Sequence, residues 1–388
     1  MCRIEEGPPK SITVGTASHR CSFHGMKETA KRFRTVAWAT GVVGSSALRR
    51  IIAHPQLELA GVRVYSDDKK GRDAGDLVGL PPTGVIATQD TEEILALAPD
   101  CIVYSPMPWD LEEMCRILSA GIHIVTPCPY WFPFIQDPET TSRLTEACRA
   151  GGVNLHASGT NPGGVAERFP LTFSGWCNRI DRITMTEYGD CRDYSSVAVI
   201  RELMNLGKTP EEAWNNPIKA MLTSFWYEPI EMIAEGLGSE VVDYEQQHDF
   251  ILAKERIETS AGIIEAGTIG LNNYRHIGRT REGTEIVQEQ VWFMDDVSMS
   301  RLESRMDIPR ASGWRIHIEG DVELVVDIEL APNLTQPEKT AQGLSTVGYH
   351  CVNAVPDVCT APEPGIKTFL DLPMTTGRMG THRTANRG

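Results

Sequence analysis

The chain has 388 residues, of which 41% are hydrophobic, and its 37 basic and 52 acidic residues give a net charge of −15. This length corresponds to two or three domains, and the acidic surplus argues against nucleic acid as a partner because it repels phosphate backbones. No run of about 18 apolar residues is present, so the sequence predicts no membrane-spanning segment.

The cysteines also limit the possible functions. Ten cysteines are spread along the chain, and no two of them stand at C-x-x-C spacing. This spacing predicts neither a zinc site nor a redox pair, and we expect no metal. No apolar segment near the start resembles a secretory signal, which favours a cytoplasmic protein with reduced thiols.

Residues 1–32 are polar and show no periodicity, which predicts a flexible extension. They contain His19, Cys21 and His24, which are too few ligands for a metal site.

Strands and helices alternate from residue 35 to residue 156. A helical pattern after the first strand is stopped by Pro55, and Asp110 and Glu113 have the spacing of a capping box at the start of another helix. Asp137, followed by proline, predicts the start of a further helix. The predicted strands are residues 35–38, 57–65, 85–87, 101–104, 122–125 and 153–156. This alternation predicts an α/β fold with a Rossmann-type parallel sheet.

The pattern changes after about residue 165. Residues 197–240 are rich in helix formers, whereas residues 182–186 and 262–294 and a hairpin that turns at Gly320-Asp321 predict strands. We therefore expect a second α+β domain with a largely antiparallel sheet, whose apolar face needs a cover of helices or a second subunit, as in a homodimer. The predicted divisions are a dinucleotide-binding domain at 33–163, a substrate and dimerisation domain at 164–340, a segment that returns to the first domain at 341–373, and a flexible tail at 374–388.

A glycine-containing turn follows the first strand and opens the first helix. It reads Ala39-Thr40-Gly41-Val42-Val43-Gly44, a dinucleotide-binding fingerprint with Ala at the first glycine position. Gly41 would let the backbone approach a pyrophosphate, Gly44 would let the helix pack on the strand, and the helix N-terminus favours an anion. The alternative is a tight turn that needs glycine for packing alone.

The tip of the second predicted strand bears on the choice between NAD and NADP. Tyr65 and Ser66 stand where an NAD-specific site has an acid, although Asp67 can still reach a ribose. Basic side chains follow at Lys69, Lys70 and Arg72. This pattern favours NADP over NAD through its 2′-phosphate, and a solvated loop is the alternative. Ser105 ends the fourth predicted strand and is expected beside the nicotinamide ribose.

Several motifs together carry a family resemblance. They are the segments 71–77 (GRDAGDL), 159–163 (GTNPG), 353–356 (NAVP), 361–366 (APEPGI) and 370–373 (LDLP). With the glycine fingerprint they resemble the dihydrodipicolinate-reductase-like enzymes, which include 2,4-diaminopentanoate dehydrogenase and the native amine dehydrogenases, over residues 33–373. The resemblance implies a Rossmann domain, a second domain with substrate and dimer contacts, and hydride transfer between NAD(P)H and an imine or keto group. It also places Asn161 and Pro162 beside the nicotinamide, and a turn-capping role is the alternative for Asn161.

One position departs from the family pattern. Amine-forming members carry a glutamate in the loop after the fifth strand, where this chain has Pro129 or Tyr130. A neutral tyrosine, with a pKa of about 10, can donate a proton but is a poor base for ammonium. We therefore expect an NAD(P)H-dependent oxidoreductase that transfers hydride to a C=O or C=N group of a moderately apolar small molecule, with Tyr130 or Tyr194 as the catalytic proton donor. The alternatives are a cofactor-binding sensor or structural subunit without chemistry, and an isomerase or lyase with tightly held nicotinamide.

The remaining candidates concern the substrate. Trp131, Phe132 and Tyr188 are expected to contact it, and packing between domains is the alternative. Glu187 and Asp190 are possible replacement carboxylates, with a structural role as the alternative.

Other side chains receive structural predictions. The aromatic run Phe225-Trp226-Tyr227 is expected in the core or in a pocket lid. His156 is predicted to be an interior histidine. An outer strand face is predicted for Arg275, His276 and Arg279.

Overall fold

The computed structural model describes residues 32–128, 132–135, 137–194, 196–217, 219–302 and 312–378. Residues 1–31 of the predicted extension at 1–32 lie outside these ranges, and they include His19, Cys21 and His24. Within them, no helix combines the length and the apolar character needed to cross a membrane.

A parallel sheet with helices on both faces forms the first part of the fold. In chain order its elements are β1 (Phe33–Trp38), α1 (Val42–Ala53), β2 (Leu57–Arg63), α2 (Ala74–Leu77), β3 (Ala87–Thr88), α3 (Thr91–Ala96), β4 (Cys101–Tyr104), α4 (Leu111–Ser119), β5 (His123–Thr126), α5 (Pro138–Gly151) and β6 (Asn154–Ala157). Neighbouring strands all pair in parallel, which confirms the predicted βαβ alternation and the Rossmann-type sheet.

A second, mixed sheet follows. Its part of the chain contains α6 (Arg168–Ser174), β7 (Ile180–Asp190), a π-helical segment (Val199–Leu203), α7 (Pro210–Trp214), α8 (Lys219–Gly236), β8 (Val241–Leu252), β9 (Ile257–Thr259), β10 (Gly262–Ile264), β11 (Ile269–Thr280), β12 (Glu285–Phe293), α9 (Asp296–Leu302), β13 (Gly313–Gly320) and β14 (Leu324–Glu329). The strand order is β14-β13-β7-β12-β11-β8. Among the described residues of this sheet β7 and β12 pair in parallel and the other neighbouring strands pair antiparallel, so the prediction of a largely antiparallel sheet is confirmed.

The chain then returns to the first sheet through α10 (Gln336–Thr360) and β15 (Gly365–Lys367). β15 pairs with β6, which gives the order β15-β6-β5-β4-β1-β2-β3. Helix α10 packs beside α1, and their apolar residues, such as Leu48 and Val352, form the core on one face of the sheet. Trp38 and Leu155 belong to the core on the other face, under α4 and α5. Both faces of the parallel sheet are therefore covered within the chain.

Two local predictions need correction. Asp110 does accept the backbone N–H of Glu113, at 3.0 Å, but the Glu113 carboxylate accepts hydrogen bonds from the hydroxyls of Tyr104 (2.7 Å) and Tyr65 (3.2 Å) instead of completing a capping box. The third strand comprises only Ala87–Thr88, whereas residues 85–87 were predicted. In both places contacts with distant parts of the chain decide the local structure.

The two faces of the second sheet differ in polarity. One face packs against α6 and α8 through residues such as Ile183 and Ile230, so the apolar face that was expected to need a cover is covered by helices of the same chain. On the opposite face Arg275 forms an ion pair with Glu289 at 2.6 Å. Strand alternation puts His276 on the covered face, so its predicted place beside Arg275 and Arg279 is wrong.

The end of the chain is held in place as far as it is described. Arg50 donates a hydrogen bond to the backbone carbonyl of Gly377 at 2.5 Å, and Arg378 forms an ion pair with Asp357 at 2.5 Å. The predicted flexible tail at 374–388 therefore has an anchored first part.

Candidate active site

A cavity of about 500 Å³ lies between the carboxyl ends of the parallel strands and the covered face of the second sheet. The loops after β4, β5 and β6 contribute Ser105, Cys128 and Asn161, and the second sheet contributes Glu187 and Trp292. Loops at the carboxyl ends of parallel strands are where α/β proteins bind ligands, because the helix N-termini and free backbone groups meet there. This cavity is therefore the candidate active site.

The glycine turn reaches one side of the cavity through Val43. A Cβ on Gly44 would lie 2.3 Å from the carbonyl oxygen of Ala39, so this glycine allows α1 to pack on the end of β1. A Cβ on Gly41 would meet nothing within 4 Å, so the backbone here is open to a ligand. Gly44 therefore has the packing role that the fingerprint predicts, and the role of Gly41 at a pyrophosphate stays a prediction.

The tip of β2 presents positive charge beside this turn. The Lys69 ammonium donates a hydrogen bond to the backbone carbonyl of Thr40 at 2.9 Å, while Asp67 accepts one from Gln89 at 3.0 Å. Arg63, which sequence reasoning missed, stacks over the ring of Tyr65 at 4.6 Å. Arg63 is the last residue of the strand that follows the dinucleotide fingerprint, and this position could have identified it from the sequence. The other predicted residues here, Ser66 and Lys70, are exposed.

Two buried polar atoms on the first-sheet side of the cavity lack a protein partner within the described ranges. They are the hydroxyl of Ser105 and the side-chain carbonyl oxygen of Asn161. Buried polar atoms without partners are rare because they cost free energy, unless a ligand completes their hydrogen bonds. A nicotinamide ring with its carboxamide and ribose hydroxyls offers such groups, so these residues fit the predicted cofactor site.

Glu187 joins the two sides of the cavity. Its carboxylate accepts a hydrogen bond from the side-chain amide of Asn161, and the indole N–H of Trp292 lies 3.5 Å from its other oxygen. Burial raises the pKa of Glu187, while the neighbouring N–H groups oppose this shift. Glu187 is the one carboxylate among the described residues that line the cavity, so it is the candidate among them for proton exchange with a ligand.

Tyr194 also lines the cavity, as the prediction of a catalytic tyrosine requires. Burial raises its pKa, and the charges of nearby Cys191 and Glu187 act in the same direction. The phenol therefore remains neutral and can donate a hydrogen bond or a proton. The other candidate proton donor, Tyr130, lies outside the described residues, as does Trp131.

The structure does not bring three other predicted residues to this cavity. Tyr188 follows Glu187 on the same strand and so points to the other face, where it packs with Leu271 and Phe293. Phe132 is 4% exposed and belongs to the core of the first sheet. Asp190 forms an ion pair with Arg192, which occupies its carboxylate. These three predictions are corrected to structural roles.

Aromatic side chains form much of the remaining wall. Phe225 and Trp226 of α8 and Trp314 of β13 line the cavity, so the predicted aromatic run does contribute to a pocket. His276 lines the floor, and His156 is fully buried in the first sheet as predicted. The wall is thus apolar with few charges, which suits a substrate with an apolar body.

Comparison with known proteins gives matches over most of the chain. The model of the family described as 2,4-diaminopentanoate dehydrogenase C-terminal domain matches residues 165–387. An amine dehydrogenase from Streptomyces virginiae is 30% identical over 368 residues, which are 89% of this chain and 98% of that protein.

Solved structures share the fold. The amine dehydrogenase from Mycobacterium smegmatis aligns with a TM-score of 0.73 and 20% identity, covering 89% of this chain and 97% of that one. The scyllo-inositol dehydrogenase from Lactobacillus casei, solved with bound NAD(H) and scyllo-inositol, aligns with a TM-score of 0.51 and 14% identity, covering 84% and 89%. At these identities the likeness establishes the fold alone.

Behind the cavity, a buried carboxyl supports the loop that carries Asn161. Glu167 is fully buried, and one of its oxygens accepts the backbone N–H of Gly163 at 2.8 Å. Burial raises the pKa of Glu167 to about 8, and the nearby charge of Glu228 adds to this shift. Glu167 is therefore protonated in the folded protein at neutral pH.

This shift predicts how stability depends on pH. The unfolded chain loses the Glu167 proton near its ordinary pKa of about 4.5, whereas the folded protein keeps it up to about 8, so rising pH favours unfolding across this interval. The contribution approaches ~1.4 kcal/mol per pH unit. Glu167→Gln keeps an oxygen for Gly163, so we expect its advantage over the wild type in urea unfolding to grow from about pH 5 to about pH 8. The exposed Glu58→Gln is the control, and an advantage that stays constant with pH would contradict the prediction.

Proposed function

The chain belongs to the 2,4-diaminopentanoate dehydrogenase family, which makes it an NAD(P)-dependent dehydrogenase, and we propose that it interconverts a small amine and the corresponding carbonyl compound. In the reductive direction a carbonyl compound, ammonia, reduced nicotinamide and a proton give the amine, oxidised nicotinamide and water. The bound nicotinamide supplies or accepts the hydride. The protein's contribution is to hold both reactants and to move the protons.

One observation carries this proposal: the Glu187 carboxylate lies in an aromatic cavity and is hydrogen-bonded to Asn161. Amine chemistry needs a base that takes a proton from ammonium and an acid that returns it to the departing water. Burial raises the pKa of Glu187, which favours its action as an acid as well as a base. In the family this carboxylate follows the fifth strand, where this chain has Pro129 or Tyr130. We propose that Glu187 replaces it and that Tyr194 assists as a neutral proton donor.

The cofactor contacts follow the same geometry. We propose that the backbone of Thr40, Gly41, Val42 and Val43 contacts the pyrophosphate, with Gly44 holding the helix against the strand. Ser105, Asn161 and Pro162 would contact the nicotinamide half, which is supported by the buried polar atoms of Ser105 and Asn161 that lack protein partners among the described residues.

We propose NADP as the preferred cofactor. Lys69 supports this proposal because it donates a hydrogen bond to the backbone of the glycine turn. Asp67 supports it because its carboxylate accepts a hydrogen bond from Gln89 and is therefore less available to a ribose hydroxyl. Ser66 and Lys70 are exposed next to them and complete a positive site for the 2′-phosphate.

A homodimer and a cytoplasmic location also remain proposals. The open face of the second sheet carries both signs of charge, including Arg275 and Glu289, which would allow a second copy to pair there by symmetry. Light scattering at micromolar concentration measures the oligomeric state, and a monomer mass would contradict the homodimer.

The cytoplasmic location is supported by the cysteines. The eight described cysteines are free thiols, as suits a reducing compartment.

Glu187→Gln tests the function directly. It keeps the size of the side chain but removes the acid–base group, so we expect kcat to fall about 10²- to 10⁴-fold with little change in KM for NADPH. Turnover of carboxylate-free ketones with ammonium is followed through the absorbance of the reduced nicotinamide. Asp190→Asn removes the neighbouring carboxylate that pairs with Arg192 and should stay within threefold of the wild type. Equal losses in both variants, or no turnover by the wild type across the ketone panel, would refute the proposal.

Lys69→Met tests the cofactor preference. Loss of the ammonium beside the glycine turn should raise KM for NADPH by about tenfold, whereas KM for NADH should change less than twofold, because only NADPH carries the 2′-phosphate. Lys254→Met is the matched control, because it removes an exposed lysine in the part of the chain that forms the second sheet. A rise that is the same for both cofactors would argue against NADP recognition at this position.

A further inference from the structure

The loop that carries Asn161 is held from one side by the long helix α10. The hydroxyl of Thr346 donates a hydrogen bond to the backbone carbonyl of Gly343 at 2.7 Å, and the hydroxyl oxygen of Thr160 lies 2.6 Å from that of Thr346. Because a hydroxyl has a single proton, Thr346 accepts the second bond and Thr160 donates it. Helix α10 thus presents a fixed acceptor to the residue that precedes Asn161.

One helical turn further along α10, His350 holds the start of the same loop. Its Nδ1 lies 2.6 Å from the backbone carbonyl oxygen of Gly159 and 3.0 Å from the hydroxyl oxygen of Ser158. The loop also closes on itself, since the N–H of Gly159 donates to the carbonyl of Gly163 at 3.1 Å. The helix therefore bonds to successive residues of a closed loop, and it does so through side chains one turn apart.

Another side of α10 packs against the start of α1. A Cβ on Gly348 would lie 2.7 Å from the carbonyl oxygen of Val43 and 2.8 Å from the backbone nitrogen of Ala47, so the two helix backbones are in direct contact there. At 3.6 residues per turn, positions 346 and 348 point in nearly opposite directions. Because Val43 belongs to the glycine turn, α10 contacts this turn on one side and the Asn161 loop on the other.

A third side of α10 borders the cavity. The residues of the helix that line it have the spacing of a single helix face and are Thr340, Gly343, Leu344 and Val347. The helical repeat places this face between the side that contacts α1 and the side that contacts the loop. Thr346, Gly348 and His350 are not among the described residues that line the cavity, so they can affect a ligand only through the elements that they hold.

We propose that α10 is a spacer that sets the distance between the glycine turn and the Asn161 loop, with Thr346, Gly348 and His350 as positioning residues for the cofactor. The inference rests on the proposed function, which assigns the pyrophosphate to the turn and the nicotinamide half to the loop. A dinucleotide contacts both elements at once, and a loop that is already held in place does not have to be ordered on binding. Changes in α10 therefore weaken cofactor binding without removing a contact to the cofactor.

Thr346→Val tests the loop side of the helix, because it keeps the size of the side chain but leaves the Thr160 hydroxyl without its acceptor. Isothermal titration calorimetry with the full chain gives Kd for NADP⁺ and for its adenine half, adenosine 2′,5′-bisphosphate. We expect Kd for NADP⁺ to rise about fivefold, the usual effect of one hydrogen bond, and Kd for the adenine half to change less than twofold because it does not reach the loop. NAD⁺ and ADP form a second pair that gives the same comparison without the 2′-phosphate.

Three further variants assign the effect. Thr346→Ser restores the hydroxyl and should bind NADP⁺ within twofold of the wild type. Thr360→Val is the matched control, because its hydroxyl also bonds to a carbonyl of the same helix, that of Pro356 at 2.8 Å, and both Kd values should stay unchanged. Gly348→Ala forces α10 away from the glycine turn, so we expect it to weaken NADP⁺ and the adenine half alike, by about tenfold. If Gly348→Ala does not fold, Thr346→Val and its rescue decide the question.

The outcomes separate this inference from the proposed function. A merely structural role of Thr346 would weaken both ligands equally, so an equal loss in Thr346→Val, or unchanged binding in either Thr346→Val or Gly348→Ala, overturns the inference and leaves the function standing. A loss confined to NADP⁺ and rescued by Thr346→Ser supports the inference, even where no ketone is turned over and the proposed amine chemistry fails. A wild type that binds neither NADP⁺ nor NAD⁺ overturns the proposed function and this inference with it.

Discussion

The hydrogen bond between Asn161 and Glu187 is the contact on which the site depends, because it joins the loop after β6 to the second sheet. Asn161 belongs to the part of the chain that holds the dinucleotide fold, and Glu187 lies on the central strand β7. A charged carboxylate is the stronger acceptor, so this contact is tighter when Glu187 is ionised. The position of the proposed cofactor loop and the protonation of the proposed acid–base group are therefore linked by one bond.

The apolar wall determines how well Glu187 can serve. In water a carboxylate has a pKa too low to act as an acid at neutral pH, whereas burial among indole and phenyl rings disfavours its charged form. The Asn161 amide and the Trp292 N–H oppose this effect, because they stabilise the charged form of the carboxylate. Under the proposed function, the aromatic rings that line the cavity would exclude water from the reacting carbon, and their burial of Glu187 raises its pKa.

The sequence predicts the first sheet well because its signals are local. The runs at β1 and β4 are short, apolar and bounded by turn residues, and Gly44 must be glycine because a Cβ there would meet the backbone carbonyl of Ala39. Corrections arise where distant contacts decide, as when Glu113 bonds to Tyr104 and not to its own helix end. Local patterns do not report such contacts.

The site is harder to predict, since it depends on which face of a strand each side chain occupies. The alternation of β7 assigns Glu187 and Tyr188 to opposite faces, but the sequence does not say which face borders the cavity. The same alternation separates His276 from Arg275, and applying it consistently would have excluded the grouping of the two on one face. Phe132 lies in the core of the first sheet, and its backbone N–H donates a hydrogen bond to Glu228 at 2.7 Å, a contact with a distant helix that local patterns do not report.

The two faces of the second sheet show why one architecture can serve both binding and chemistry. Ion pairs such as that of Arg275 with Glu289 make the open face polar. The covered face instead presents aromatic rings and a few polar side chains to the cavity. β7 is an inner strand of the sheet, and it carries Glu187 next to the proposed cofactor loop. β11 and β8 lie beyond β12 on one side of β7. Under the proposed function, substitutions on β11 and β8 would change the cavity wall without moving Glu187 away from Asn161, so substrate binding and proton transfer would be carried by different strands of one sheet.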